Sequence, residues 1–148
     1  MRVSALPAAC LVVLAGLLPA TGFAQPPGLS AQDAWIRATP GIDVAAAYLT
    51  LHNGGTQPVV VSGVRCSDAA AAMIHQTTIV NGQSAMRPRE PLRIAPGETV
   101  RFAPDGLHIM LQGLKRPLAA GEEVPLVLLL EGAGNLTVMA RVRALADD

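Results

Sequence analysis

The chain has 148 residues, of which 51% are hydrophobic and only 15% charged, with eleven basic and eleven acidic side chains and no formal net charge. That length suits one domain, and that balance excludes the broad cationic surface by which proteins hold nucleic acid. Two cysteines exclude a disulfide-built scaffold, so an apolar core must hold the fold.

The first 24 residues carry much of the hydrophobicity. Met1-Arg2 is a short basic start, "ALPAACLVVLAGLLPA" is an apolar run, and Gly22 and Ala24 place small residues before Gln25. Pro7 and Pro19 interrupt a run already short for a membrane span, which favours a secretory signal peptide cut after Ala24 over a retained anchor. Cys10 has too little apolar chain before it for a lipoprotein cleavage site. The expected mature protein is therefore periplasmic, without a membrane span, and keeps one cysteine, Cys66. Residues 25–30, "QPPGLS", read as a flexible leader, 31–143 as the folded domain and 144–148 as a polar tail.

Nine runs with strand character follow, at 33–38, 45–53, 58–64, 73–80, 84–89, 99–103, 108–114, 124–131 and 136–143. Turn signals separate them: Asn53-Gly54, Asn81-Gly82, Pro96-Gly97, Pro104-Asp105-Gly106 and Gly132-Ala133-Gly134. Only "DAAAA", residues 68–72, suggests a helical turn. Short strands with turns at this spacing predict an all-β Greek-key sandwich. Trp35 and Tyr48 read as core anchors and Cys66 as a small buried hydrophobe.

The chemistry concentrates in two runs. In "GLHIMLQGLK", residues 106–115, strand alternation puts His108, Met110 and Gln112 on one face and Ile109 and Leu111 on the other. In "MIHQTTIVNGQSAMRP", a two-residue type I′ turn at Asn81-Gly82 would pair 80 with 83, 79 with 84, 77 with 86 and 75 with 88. Met86 then lies diagonal to His75 on one face, within roughly 7 to 8 Å. Two imidazoles and two thioethers could converge on a metal; alternatively both methionines fill gaps and both histidines end strands. Thioethers are soft and neutral, so a site built from them excludes magnesium and calcium and favours Cu(I). Imidazole ligates only when deprotonated, so such a site would weaken in acid, below about pH 6, given a reference pKa of about 6.5. His52, Met73 and Met139 are weaker candidates. Glu90 and Asp105 fall in turns, which leaves no acid–base group beside the donors and argues against an enzyme.

Written out, the donors are His75, ten residues, Met86, twenty-one residues, His108, one residue, Met110. This spacing resembles the H-x10-M-x21-H-x-M motif of the PCu(A)C family of periplasmic copper chaperones, and "DAWIRATP", "AAYLTLHN" and "GLHIMLQGLKRPLAAGEEVPLVL" also resemble that family's segments. The resemblance implies a cupredoxin-like sandwich that binds one Cu(I) through His75, Met86, His108 and Met110. It further implies delivery to a copper acceptor, the Cu-A subunit of cytochrome c oxidase or its copper-loading assembly protein, by a monomer. Two other classes remain open: an electron-transfer cupredoxin, which would need a cysteine beside the C-terminal ligands, and a periplasmic binding or assembly module that holds no metal.

Overall fold

The computed structural model describes residues 28–144. The signal segment, residues 25–27 of the leader and residues 145–148 lie outside the described residues. The described chain is all-β and contains no helix. Its ten strands are β1 (Leu29–Ala38), β2 (Val44–Asn53), β3 (Val59–Cys66), β4 (Ala69–Val80), β5 (Gln83–Pro88), β6 (Leu92–Ile94), β7 (Thr99–Arg101), β8 (Leu107–Leu114), β9 (Glu123–Leu130) and β10 (Gly134–Arg143).

One hydrogen-bonded path joins them in the order β5-β4-β8-β2-β1-β10-β9-β3-β6, with β7 paired to β2. The β1–β10 pair is parallel, while the other named pairs are antiparallel. The sheet folds over so that its two wings share a core. Ile74, Ile109 and Leu111 from β4 and β8 join Val61, Leu126 and Leu128 from β3 and β9 in one buried cluster. Each of these side chains alternates with one that faces away, so β4 and β8 present a second, outer face made of their odd- and even-numbered residues respectively.

Four local expectations are corrected. Residues 69–72 are strand rather than helical turn, because they pair with β8, Ala69 opposite Leu114 and Ala72 opposite Leu111, and this pairing outweighs alanine's helix preference. The start of β4 is pinned by Lys115 N–H donating to the Asp68 carbonyl at 2.9 Å and by Arg116, which bridges Asp68 and Glu122 at 2.9 and 3.0 Å. Strand β6 escaped the sequence reading: it is three residues long, yet Leu92 and Ile94 are buried and the strand pairs with Val59–Val61. Strand β1 begins at Leu29, two residues before the expected start of the fold, and Leu29 is buried opposite Asn53.

Trp35 is the fourth. It is half-buried and stacks on Tyr48 outside the shared cluster, with ring centroids 4.5 Å apart, whereas Tyr48 is buried as expected, at 6% exposure, and their neighbour Ile36 lies in the cluster. Arg37 and Arg143 lie over the Trp35 ring at 5.7 and 4.5 Å, which suits an amphipathic ring on a half-wet surface better than a dry core. Asn53-Gly54 also has a role beyond a turn. Asn53 is fully buried, its amide donates to the Gln57 and Ile94 carbonyls at 2.8 and 3.1 Å and its oxygen accepts from Gly55 N–H at 3.0 Å, so it knots three segments where β2 ends.

Candidate metal centre

The Asn81-Gly82 turn takes positive φ at both residues, 52° and 77°, as a type I′ hairpin requires. The resulting register is Val80 with Gln83, Ile79 with Ser84, Thr77 with Met86 and His75 with Pro88. Met86 is thus diagonal to His75, as the turn alone implied. On its other side β4 pairs with β8, and here the fold adds what no local pattern carried: His75 stands directly opposite His108, and Met73 opposite Met110. The outer face of β4 and β8 is therefore a block of two imidazoles and two thioethers, with Met86 reaching in from β5.

The two rings meet edge to face, with centroids 5.9 Å apart and planes at 83°. His108 is 5% exposed. Its Nδ1 lies 3.1 Å from the Gly106 carbonyl, which can only accept, so Nδ1 carries the hydrogen and Nε2 presents a lone pair. That Nε2, and Nδ1 of His75, are buried without a hydrogen-bond partner. Burying a polar nitrogen unpaired costs about 1 to 3 kcal/mol, so two such atoms side by side need a reason. A bound metal would supply one, and the backbone bond to His108 Nδ1 is the kind of outer contact that would fix a ligating imidazole's tautomer and ring plane.

His108, Met86 and Met110 line a cavity of about 190 Å³, to which Thr77, Tyr48 and Asp105 also contribute. The expectation that Asp105, as a turn residue, stands apart from the donors is corrected: it lines the same cavity, because a turn residue's position in the chain gives no sign of which face it will overhang. Asp105 has a φ of +65° in the β7–β8 loop, and Pro104 beside it also lines the cavity. Met86 is 56% exposed, whereas Met110 and Met73 are half-buried. Among the described residues there is no group of three or more histidine, cysteine, aspartate and glutamate side chains that could hold a metal. The donor block is therefore nitrogen and thioether, a set that suits Cu(I) and suits hard cations poorly.

The other candidates lie apart from this block. His52 is exposed and its Nδ1 is 2.9 Å from Thr99 Oγ1. Met139 is 50% exposed on β10, opposite Pro125. Cys66 is a free, buried thiol in the shared core and lines a separate cavity of about 700 Å³ walled in part by Ala69–Ala72. Burial pushes its thiol up, against the lowering effect of the Asp68 backbone. The thiol is thus outside the cavity that His108 and Met110 line, which removes the sulfur ligand an electron-transfer copper site would require.

Comparison with known proteins adds a family. A relative from Leifsonia xyli subsp. xyli (strain CTCB07), "Putative lipoprotein Lxx21020", is 35% identical over 120 residues, covering 80% of this chain and 72% of that protein. The solution structure of CuI-DR1885 from Deinococcus radiodurans is 36% identical and superposes with a TM-score of 0.64, each chain being covered to 81%. The apo PCuAC domain from PmoF1 is 24% identical with a TM-score of 0.68, covering 82% of this chain and 98% of that one, which shows a shared fold. The family model "Putative lipoprotein LpqE-like" matches residues 29–142, from the first residue of β1 almost to the last of β10, and with that span the chain belongs to the LpqE-like family.

Proposed function

We propose that the protein is an extracytoplasmic Cu(I) carrier that holds one copper ion through His75, Met86, His108 and Met110 and passes it to a copper-acceptor protein. The observation that carries this reading is the pair of buried, unbonded ring nitrogens on directly opposed histidines, set beside thioethers and without a neighbouring thiolate. Two imidazoles bring the ion in from water, and two neutral thioethers favour the reduced ion without adding charge. Copper here is cargo. A carrier must also release it, and an exposed donor at the rim, Met86, gives an acceptor's own ligand a place to enter. The similarity to a structure named as CuI-bound and to PCuAC domains supports copper as the metal, and the lipoprotein names of the family and of the Leifsonia relative support a place outside the cytoplasm. For the acceptor, the proposal is the Cu-A subunit of cytochrome c oxidase or the assembly protein that loads it.

Anaerobic titration with Cu(I) against a competing chelator tests the binding. One equivalent should be held, and X-ray absorption should find both nitrogen and sulfur around it. A first shell without sulfur would refute the donor set. Mixing the loaded protein with a soluble Cu-A domain tests delivery, and copper that stays with the carrier would remove that half of the reading.

A further inference from the structure

The outer faces of β4, β8 and β5 together hold five donors, one more than the four-donor copper site needs. Cu(I) is satisfied by three or four soft ligands, and His75, His108 and Met110 already supply three. Met86 and Met73 both compete for the remaining position, and the fold places them very differently. Met73 stands directly opposite Met110, so their Cβ atoms are about 4.5 to 5.5 Å apart, and it lies two residues from His75 on the same face. Its strand segment is held by β8 on one side. On the other, Ile74 N–H donates to Glu90 Oε1 at 2.8 Å and the Ile74 carbonyl accepts from Arg89 N–H at 2.9 Å. Met86 sits on β5, the terminal strand of the sheet path, whose one partner is β4, and it must reach across Thr77 to meet His108. Edge hairpins of this kind open at lower free energy than strands paired on both sides.

We propose that Met73 is an alternate thioether donor to the same ion, taking the place of Met86 when the β5 hairpin moves away. The inference rests on the copper-carrier reading and deepens it. In the exchange, the Cu–S bond to Met86 breaks and one to Met73 forms. The copper stays Cu(I), and no proton or electron moves. The ion remains four-coordinate on β4 and β8 while the rim position empties, which opens the side from which an acceptor ligand can approach without leaving copper under-coordinated.

The test compares Cu(I)-loaded parent, Met86→Leu, Met73→Leu and double-substituted full chains, since leucine for methionine roughly preserves volume and should leave the fold intact by circular dichroism. X-ray absorption should still count two sulfurs in Met86→Leu and only one in the double variant. Affinity for Cu(I) in the double variant should fall about tenfold below that of Met86→Leu, the scale of a lost supporting group at a metal site. A single sulfur in Met86→Leu, or an affinity that does not change when Met73 is also replaced, would overturn the proposal while leaving the carrier reading standing. A parent chain that takes up no Cu(I) would end both.

Discussion

Strands β8 and β5 both contribute to one face, yet they are built for different tasks. β8 lies between β4 and β2, its inward residues Ile109 and Leu111 are fully buried, and its outward residues His108 and Met110 inherit that rigidity. β5 has one partner, carries no buried side chain, and presents Met86 to solvent. Side-chain alternation couples chemistry to packing: the more completely one face of a strand is buried, the more tightly the donors on its other face are aimed. The proposed carrier would use both kinds of donor, an aimed set to capture the ion and a looser one to let it go.

Loss of a β8 or β4 imidazole should break the contrast most severely. His108→Ala should lower Cu(I) affinity by at least about 100-fold, given that even outer partners of metal ligands are worth about 10- to 100-fold. Competition against a Cu(I) chelator measures it, and His75→Ala should follow closely because the two rings are directly opposed. A fall for His108 matched by none for His75 would mean that the pair does not act together.

Glycines probe the same contrast through stability. Gly113 in β8 has φ +62°, and an added Cβ would lie 2.9 Å from the Ala70 Cβ, whereas Gly82 at the β5 turn has φ +77° with nothing within 4 Å. Gly82→Ala should cost about 1 kcal/mol, from backbone strain alone. Gly113→Ala should cost more, about 2 to 4 kcal/mol, because overpacking adds about 1 to 3 kcal/mol to the same strain. Urea unfolding of both variants decides it, and equal midpoints would show that the β4–β8 contact yields to the added methyl without cost.

Among the thioethers, Met110→Leu should weaken Cu(I) more than Met86→Leu, by about tenfold against a few-fold, on the scale of a lost supporting group at a metal site. The reverse order in a chelator competition would place the firmer bond at the rim.

The smallest effect concerns the far wing. Burial raises the Cys66 thiol, so the folded state retains a proton that the unfolded chain gives up. Stability from this source is complete below the free-thiol range, about pH 8.5, and declines as pH rises through it toward the higher folded value. Cys66→Ala should flatten that alkaline decline in a pH series of unfolding midpoints, with Cu(I) affinity unchanged. A loss of copper affinity would bring Cys66 into the site after all.

Much of this was legible in the amino acids. Alternation identified nine of ten strands, and Asn81-Gly82 dictated the β4–β5 register because a two-residue type I′ turn leaves no freedom in pairing. The missing strand, β6, is too short for alternation to register, and its burial comes from β3, which is distant in sequence. The helical reading of "DAAAA" failed for a related reason: alanine's preference is worth a few tenths of a kcal/mol per residue, less than a ladder of strand pairing.

What the sequence determined by itself is local: the strand period, the hairpin register, and hence that His75 and Met86 share a face, as do His108 and Met110. What only the tertiary structure decided is non-local. The pairing of β4 with β8 sets His75 against His108 and Met73 against Met110, leaves two ring nitrogens buried without partners, and keeps Cys66 in another cavity. Those outcomes depend on which strands meet across some thirty residues of intervening chain, and that choice follows from burying Ile74, Ile109 and Leu111 together rather than from any pattern within one strand.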